Sequence, residues 1–152
     1  MQLTRYSDYS LRVLIYLAVD RDRLATIDEI ARSYGVSKAH LMKVVHQLGI
    51  RGYVETVRGR RGGLRLARPA EEIGIGEVVR ATENLALVEC MDSGTSDCVI
   101  ESACGLRPVL REALAAFLAV LDGYTLADLV ARRRRPLFAL LQADSVAEGA
   151  RP

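Results

Sequence analysis

The stretch TIDEIARSYGVSKAHLMKVVHQL, residues 26–48, decides the fold of this chain. Thr26 and Glu29 stand at capping-box spacing, and the apolar residues after them recur at helical intervals, which predicts a helix of about two turns. Gly35 can adopt the left-handed conformation that ends this helix. Ser37 can then cap a second helix whose inner face is apolar at every third or fourth residue. Two short helices joined in this way are typical of a helix-turn-helix motif.

The second of these helices carries a face suited to DNA. Its outward positions are polar or small and are free to enter a major groove, which makes it the predicted recognition helix. These positions are Ser37, Lys38, Ala39, His40, Lys43 and Gln47. The two histidines of the chain, His40 and His46, point to different sides of the helix, so they do not form a metal-binding pair.

The segment GYVETVRGRRGGLRLARP, residues 52–69, predicts a β-hairpin. Its alternating pattern predicts two strands, Tyr53–Val57 and Leu64–Leu66, and the glycines between them suit a turn. The predicted tip consists of Arg58, Gly59, Arg60, Arg61 and Gly62. Arginines at an exposed tip suit phosphates or a narrow minor groove. A hairpin in this place is a wing, so we expect residues 1–83 to form a winged helix-turn-helix domain that binds double-stranded DNA.

Charge is distributed unevenly along the chain. Residues 1–68 contain 13 Lys or Arg against 6 Asp or Glu, giving +7, and residues 69–152 contain 8 against 13, giving −5. A basic first part is typical of a domain that meets a polyanion. The chain has no apolar run that could span a membrane, and its first helix is charged where a signal peptide would be apolar. We therefore expect a folded cytoplasmic protein with no membrane partner.

A long helix is predicted after residue 105. Apolar residues there step by four and three positions in turn, as in a coiled-coil seam, over about five helical turns. The seam consists of Leu106, Leu110, Ala113, Phe117, Val120 and Tyr124. Leu114, Leu118 and Leu121 form a second apolar stripe, so we expect the helix to pack on its own domain and on a second subunit at once. The alternative is a core helix with no partner.

Residues 106–130 are therefore the predicted dimerisation segment, comprising this helix and a short helix that Thr125 can cap. A helix-turn-helix usually needs two copies to read a palindromic operator, which favours a homodimer. The remaining residues, 131–152, contain an arginine run before Pro136 and are expected to form a C-terminal tail that could be disordered.

All three cysteines, Cys90, Cys98 and Cys104, lie in one predicted loop, residues 84–105. An odd number of cysteines without an export signal favours metal binding or redox chemistry over disulfides. The spacing lacks the short pairs of a structural zinc knuckle. An iron–sulfur cluster accommodates longer spacings but needs a fourth ligand. Redox-sensing thiols remain the alternative.

Several segments together resemble the IscR/NsrR family of small iron–sulfur winged-helix regulators. These are LTRYSDYSLRVLIYLA at 3–18, GVSKAHLMKVVHQL at 35–48, the wing segment at 52–69 and the three-cysteine loop. The resemblance covers about residues 1 to 130 and is greatest to the nitric-oxide-sensing repressors of the family. It implies a mainly α fold with a small β-hairpin wing and a long dimerisation helix.

The resemblance also implies a cofactor and a signal. The cofactor is one 4Fe–4S cluster per subunit, with 2Fe–2S as the alternative, bound by Cys90, Cys98 and Cys104. The implied fourth ligand is Asp8 of the other subunit, and Arg12, one turn along, could pair with Asp8 when the cluster is absent. Nitric oxide is the implied signal, and genes of nitrosative-stress defence are the implied targets.

Other functions stay open at this point. A thiol oxidoreductase is disfavoured because the chain has no CxxC motif, nucleotide loop or paired acid and base, so we expect no enzymatic activity. A regulator of the same architecture could instead sense cluster supply or redox state, or respond by direct thiol oxidation.

Overall fold

The fold is mainly helical with one small antiparallel sheet, as predicted. A computed structural model describes residues 2–92 and 97–148, and side chains as far as residue 142. The helices are α1 Arg5–Val19, α2 Ile27–Tyr34, α3 Lys38–Ile50, α4 Ile75–Thr82, α5 Leu106–Asp122, α6 Leu126–Ala131 and α7 Arg134–Glu148. The strands are β1 Val54–Val57 and β2 Gly63–Leu66. In the described part of the chain, no helix is long and apolar enough to cross a membrane.

Helix α1 lies at the centre of the core. Val13 and Leu14 are fully buried, and the helix packs against α3, α4, α6 and β2. At its start, the Thr4 side chain accepts a hydrogen bond from the Ser7 backbone N–H at 3.3 Å. The Ser7 hydroxyl is buried and donates to Thr82 Oγ1 on α4 at 2.8 Å. Helix α1 is therefore in direct packing contact with α3, the second helix of the helix-turn-helix.

The helix-turn-helix forms as predicted, with one difference. The capping box of Thr26 and Glu29 is present at the start of α2, and Gly35 ends that helix with a left-handed φ of 60°. Helix α3 buries its predicted apolar face. Ser37 is its N-cap residue by backbone conformation, but the Ser37 side chain makes no capping hydrogen bond. The prediction that the Ser37 side chain caps α3 is therefore wrong, although Ser37 stands at the N-cap position.

The wing is a short hairpin whose strands each begin one residue away from the prediction. Val54 pairs with Leu66 and Val57 pairs with Gly63, leaving residues 58–62 as the turn. Gly59 has a φ of 118°, a conformation that favours glycine. A Cβ on Gly62 would lie 2.3 Å from the Val57 carbonyl oxygen, so only glycine fits there.

The C-terminal part corrects the expectation of a disordered tail. Residues Arg134–Glu148 form α7, which packs on α2. Pro136 lies in the first turn of α7, where a missing N–H is tolerated, and Leu141 is buried against the core. The Ser33 hydroxyl donates to the Leu141 carbonyl at 2.7 Å, and Arg134 Nε donates to the Val19 carbonyl at 2.8 Å. Residues 149–152 lie outside the described residues, as do residues 93–96 of the cysteine loop.

Candidate DNA interface and cysteine site

The outward face of α3 presents the predicted recognition residues to solvent. Five of the six are exposed, and Gln47 is half-buried. The exposed ones are Ser37, Lys38, Ala39, His40 and Lys43. Lys38 Nζ lies 2.8 Å from Asp28 Oδ1 on α2, so part of its charge is already neutralised. Among the described residues, His40 and Lys43 of this face form no ion pair within the chain.

The wing tip presents three exposed arginines. Arg58, Arg60 and Arg61 make no ion pair with any described side chain. By contrast, Arg65 within β2 donates twice to Glu55 on β1, with both distances 3.1 Å. The arginine within the strands is therefore neutralised by an ion pair. The three arginines at the tip keep their charge available for contacts with phosphates.

A small cavity extends the basic surface from α3 to the start of α1. It measures about 250 Å³ and is lined by Arg5, Tyr6, Tyr9, His40, Lys43 and Val44. The Tyr6 hydroxyl is buried and has no hydrogen-bond partner among the described residues. The sequence analysis missed the α1 residues of this cavity. Their i, i+4 spacing puts Arg5 and Tyr9 on one face of α1, but only the packing of α1 on α3 brings that face beside His40.

The three predicted cysteine ligands line one cavity beneath the start of α5. This cavity, of about 260 Å³, is lined by Val88, Glu89, Cys90, Cys98, Ile100, Cys104, Leu106 and Arg107. Cys90 lies in a single 3₁₀ turn, Glu89–Met91, and Cys104 directly follows another, Glu101–Ala103. Cys90 and Cys104 are half-buried, and Cys98 is exposed. The fold thus gathers the thiols around a common space.

A basic side chain completes the wall of this cysteine cavity. Arg107 lies in the first turn of α5, and its Nη1 donates to Glu101 Oε1 at 3.0 Å. The Nε of Arg107 is buried and has no acceptor in the described part of the chain. Because a buried donor without an acceptor is costly, a hydrogen-bond acceptor placed in the cavity beside this atom would be stabilised.

Asp8 is not brought to the cysteine cavity of its own chain. It lies on α1, where it accepts from Arg12 Nε at 3.0 Å and Arg12 Nη2 at 2.9 Å. The Arg12 guanidinium lies over the rings of Tyr9 and Tyr34, at 5.8 and 5.7 Å from their centroids. The Asp8 side chain keeps 43% of its surface exposed. The predicted pairing of Asp8 with Arg12 is thus present, and Asp8 stays accessible from outside the chain.

Helix α5 has one stripe on its own domain and another in solvent. Leu118 is buried, and Arg80 of α4 holds Asp122 through two hydrogen bonds of 2.5 and 2.6 Å. Along the predicted seam, Leu106, Val120 and Tyr124 are 55%, 63% and 51% exposed. Ala113 is also exposed, and Leu110 and Phe117 are half-buried. An apolar stripe of this length on the surface is unusual for a helix that packs only within its own chain.

A helix-turn-helix followed by a hairpin with a basic tip defines a winged-helix DNA-binding regulator. The chain belongs to the Rrf2 family, described as iron-dependent transcriptional regulators, whose family model matches residues 3–132. It is 59% identical over 132 residues to the HTH-type transcriptional regulator NsrR of Bacillus subtilis, a match that covers 86% of this chain and 90% of the relative.

Two solved structures share the fold. CymR, the global cysteine regulator of B. subtilis, matches with a TM-score of 0.69 and 25% identity over 87% of this chain and 98% of its own. IscR of T. potens matches with the same TM-score and identity, over 87% of this chain and 88% of its own. The relatives are transcriptional regulators, in agreement with the DNA-binding architecture of this chain.

Proposed function

We propose that this chain is a homodimeric repressor whose operator binding depends on an iron–sulfur cluster, 4Fe–4S rather than 2Fe–2S, that reacts with nitric oxide. Cys90, Cys98 and Cys104 of one subunit and Asp8 of the other would hold the cluster. Loss of operator binding would then release genes of nitrosative-stress defence. Nitric oxide is the signal that the family resemblance implies, and the identity to relatives named NsrR supports that resemblance.

The observation that carries the proposal is the arrangement of three cysteine side chains around one cavity of about 260 Å³. Within the described residues, no three His, Cys, Asp or Glu side chains lie close enough together to hold a single metal ion. A cluster is a larger body than one ion, so its ligands can stand farther apart. Thiolates are also the usual ligands of iron–sulfur clusters.

One hydrogen-bond donor in the cavity wall fits such a group. A cluster with thiolate ligands is anionic, and the buried Nε–H of Arg107 lacks an acceptor at that place. When bound, the cluster supplies the iron at which nitric oxide reacts. A carboxylate is a harder ligand than a thiolate and holds iron less firmly, so Asp8 would give the site its most easily exchanged position. That property suits a sensor.

A dimer accounts for two features that one chain leaves unexplained. Four of the six residues of the α5 seam are exposed, and Asp8 lies away from the cysteine cavity of its own chain. In a two-fold dimer each interaction occurs twice, so Asp8 of each subunit could complete the site of the other. The same symmetry provides two recognition helices for a palindromic operator.

The route from Asp8 to the DNA-reading helix consists of short contacts. Asp8 binds Arg12, the Tyr34 hydroxyl donates to the Arg12 carbonyl at 3.1 Å, and Gly35 of the turn follows directly. Helix α1 also packs on α3. If Asp8 lost its bond to iron and paired with Arg12 instead, α1 would be held differently. The spacing between the two recognition helices of the dimer would then change. Half-sites one helical turn apart tolerate little such change.

The test begins with protein purified without oxygen and assayed for iron and sulfide. Operator DNA is selected from a random library with this protein and is labelled for fluorescence anisotropy. Nitric oxide should lower the affinity for this DNA sharply, whereas equal amounts of superoxide or peroxide should not. The control is the variant with all three cysteines changed to Ser, which should hold no cluster and ignore nitric oxide. A response to peroxide but not to nitric oxide would contradict the proposed signal.

A further inference from the structure

Arg107 occupies an unusual position for an arginine. It is the second residue of α5 and lies three residues after Cys104, so its side chain stands in the wall of the cysteine cavity. About one third of the Arg107 side chain is exposed, and Glu101 neutralises it through Nη1 at 3.0 Å. The ion pair leaves the Nε–H unused, and this atom is buried with no acceptor among the described residues.

A buried N–H without an acceptor is rare in folded proteins, because it has lost its hydrogen bonds to water and gained none. Such a group calls for an acceptor that the chain alone does not supply. The same cavity is lined by the three cysteines and by Glu89, whose carboxylate already accepts from the Asp97 backbone N–H at 3.3 Å. Sulfur becomes a useful acceptor when it carries negative charge, as a thiolate or as the sulfide of a cluster.

We propose that Arg107 is a positioning residue for the cluster, donating its Nε–H to an anionic sulfur in the cavity while Glu101 fixes the orientation of the guanidinium. This inference rests on the proposed function, since it needs a cluster in the cysteine cavity. The hydrogen bond stabilises the bound cluster and withdraws negative charge from its sulfurs. Hydrogen bonds to the sulfurs are among the factors that set the reduction potential of a cluster.

The expected size of the effect follows from other metal sites. Removal of a hydrogen-bonding partner outside the ligand shell typically weakens metal binding about 10- to 100-fold. Arg107→Met keeps the length of the side chain and removes the donor. Its matched control is Arg111→Met, because Arg111 is exposed one turn further along α5 and carries the same charge. Both variants change the net charge of the chain by the same amount.

A second control separates the hydrogen bond from the ion pair. Glu101→Gln keeps an oxygen that can accept from Arg107 Nη1 but removes the negative charge. If the ion pair merely holds the loop together, Glu101→Gln and Arg107→Met should behave alike. If the Nε–H acts on the cluster, Glu101→Gln should stay near the wild-type protein.

The experiment rebuilds the cluster anaerobically from iron and sulfide and follows its visible absorbance after a chelator is added. We expect the cluster of Arg107→Met to be lost about 10- to 100-fold faster than that of Arg111→Met. The midpoint potential of the cluster in Arg107→Met should be lower than that in Arg111→Met, because the missing donor no longer stabilises the reduced cluster. The helix content of the cluster-free variants, measured by circular dichroism, should be equal.

The outcomes distinguish this inference from the proposed function. If the wild-type protein rebuilds no cluster, the proposed function fails and the inference with it. If the wild-type cluster forms, but Arg107→Met matches Arg111→Met in chelator resistance and potential, only the role of Arg107 is overturned. Equal losses in Glu101→Gln and Arg107→Met would also overturn it, in favour of a structural ion pair.

Discussion

The wing tip gives the sharpest prediction about DNA binding. Changing Arg58, Arg60 and Arg61 together to Ala removes three exposed cations that have no ion-pair partner among the described side chains. Each phosphate contact that is lost should lower the slope of log affinity against log salt by about 0.9. Three contacts therefore correspond to a slope change of about 2.7. Between 50 and 200 mM salt, the wild-type affinity should fall about 40-fold more than that of the variant.

The assay is fluorescence anisotropy with operator DNA and with an unrelated duplex over this salt range. Because phosphate contacts carry no base information, binding to both duplexes should weaken to a similar degree. The matched control is the double variant Glu55→Gln with Arg65→Gln, which removes an ion pair from the same wing without changing net charge. Its slope should equal that of the wild-type protein. An unchanged slope in the triple variant would refute the assignment of the wing to phosphate contact.

Three further changes test other parts of the account. His40→Ala, on the exposed face of α3, should alter which base pairs a selection experiment prefers while leaving the salt slope nearly unchanged. Phe117→Asp places a carboxylate in the α5 seam, where burial of an unpaired charge costs several kcal/mol, so sedimentation should show monomers. Burial raises the pKa of Tyr34 to about 12, so Tyr34 favours the folded state below pH 10. That contribution to the free energy of unfolding disappears as the pH rises to about 12. The free energy of unfolding of Tyr34→Phe, measured with urea, should lack this part of the pH dependence.

Each of these three predictions has an outcome that would contradict it. An unchanged base preference in His40→Ala would remove His40 from the interface. The control for the seam is Ala115→Asp, at an exposed position of α5 away from the seam, and this variant should remain dimeric. If Phe117→Asp were dimeric too, the dimer contact would lie elsewhere. Equal pH dependence of unfolding for Tyr34→Phe and the wild-type protein would mean that Tyr34 titrates alike in both states.

Local chemistry accounts for the parts that the sequence predicted well. The capping box at Thr26, the left-handed Gly35 and the glycines of the wing act over a few residues, so their pattern is visible in the chain. The α5 helix likewise follows from its periodicity, although periodicity alone cannot say which apolar stripe is covered. Asp8 differs, because its role as a ligand came only from the resemblance to known regulators and remains a proposal.

The parts that the sequence did not predict depend on packing between distant segments. Helix α7 packs on α2 and buries Leu141, and nothing within the arginine-rich tail reveals that surface. Arg5 joins His40 at one cavity only because α1 crosses α3. The buried Nε of Arg107 depends in the same way on how the two 3₁₀ turns place the cysteines around it.

The central claim is that Asp8 of one subunit completes the cysteine site of the other. It can be tested with a mixed dimer of one Asp8→Ala subunit and one subunit with Cys90, Cys98 and Cys104 changed to Ser. Each homodimer lacks a complete ligand set, whereas the mixed dimer regains one complete site only if the ligands come from different subunits. The measurement is the chelator resistance of the anaerobically rebuilt cluster. We predict about one resistant cluster per mixed dimer, because two-fold symmetry restores one of its two sites; resistance no better than that of the Asp8→Ala homodimer would contradict the claim.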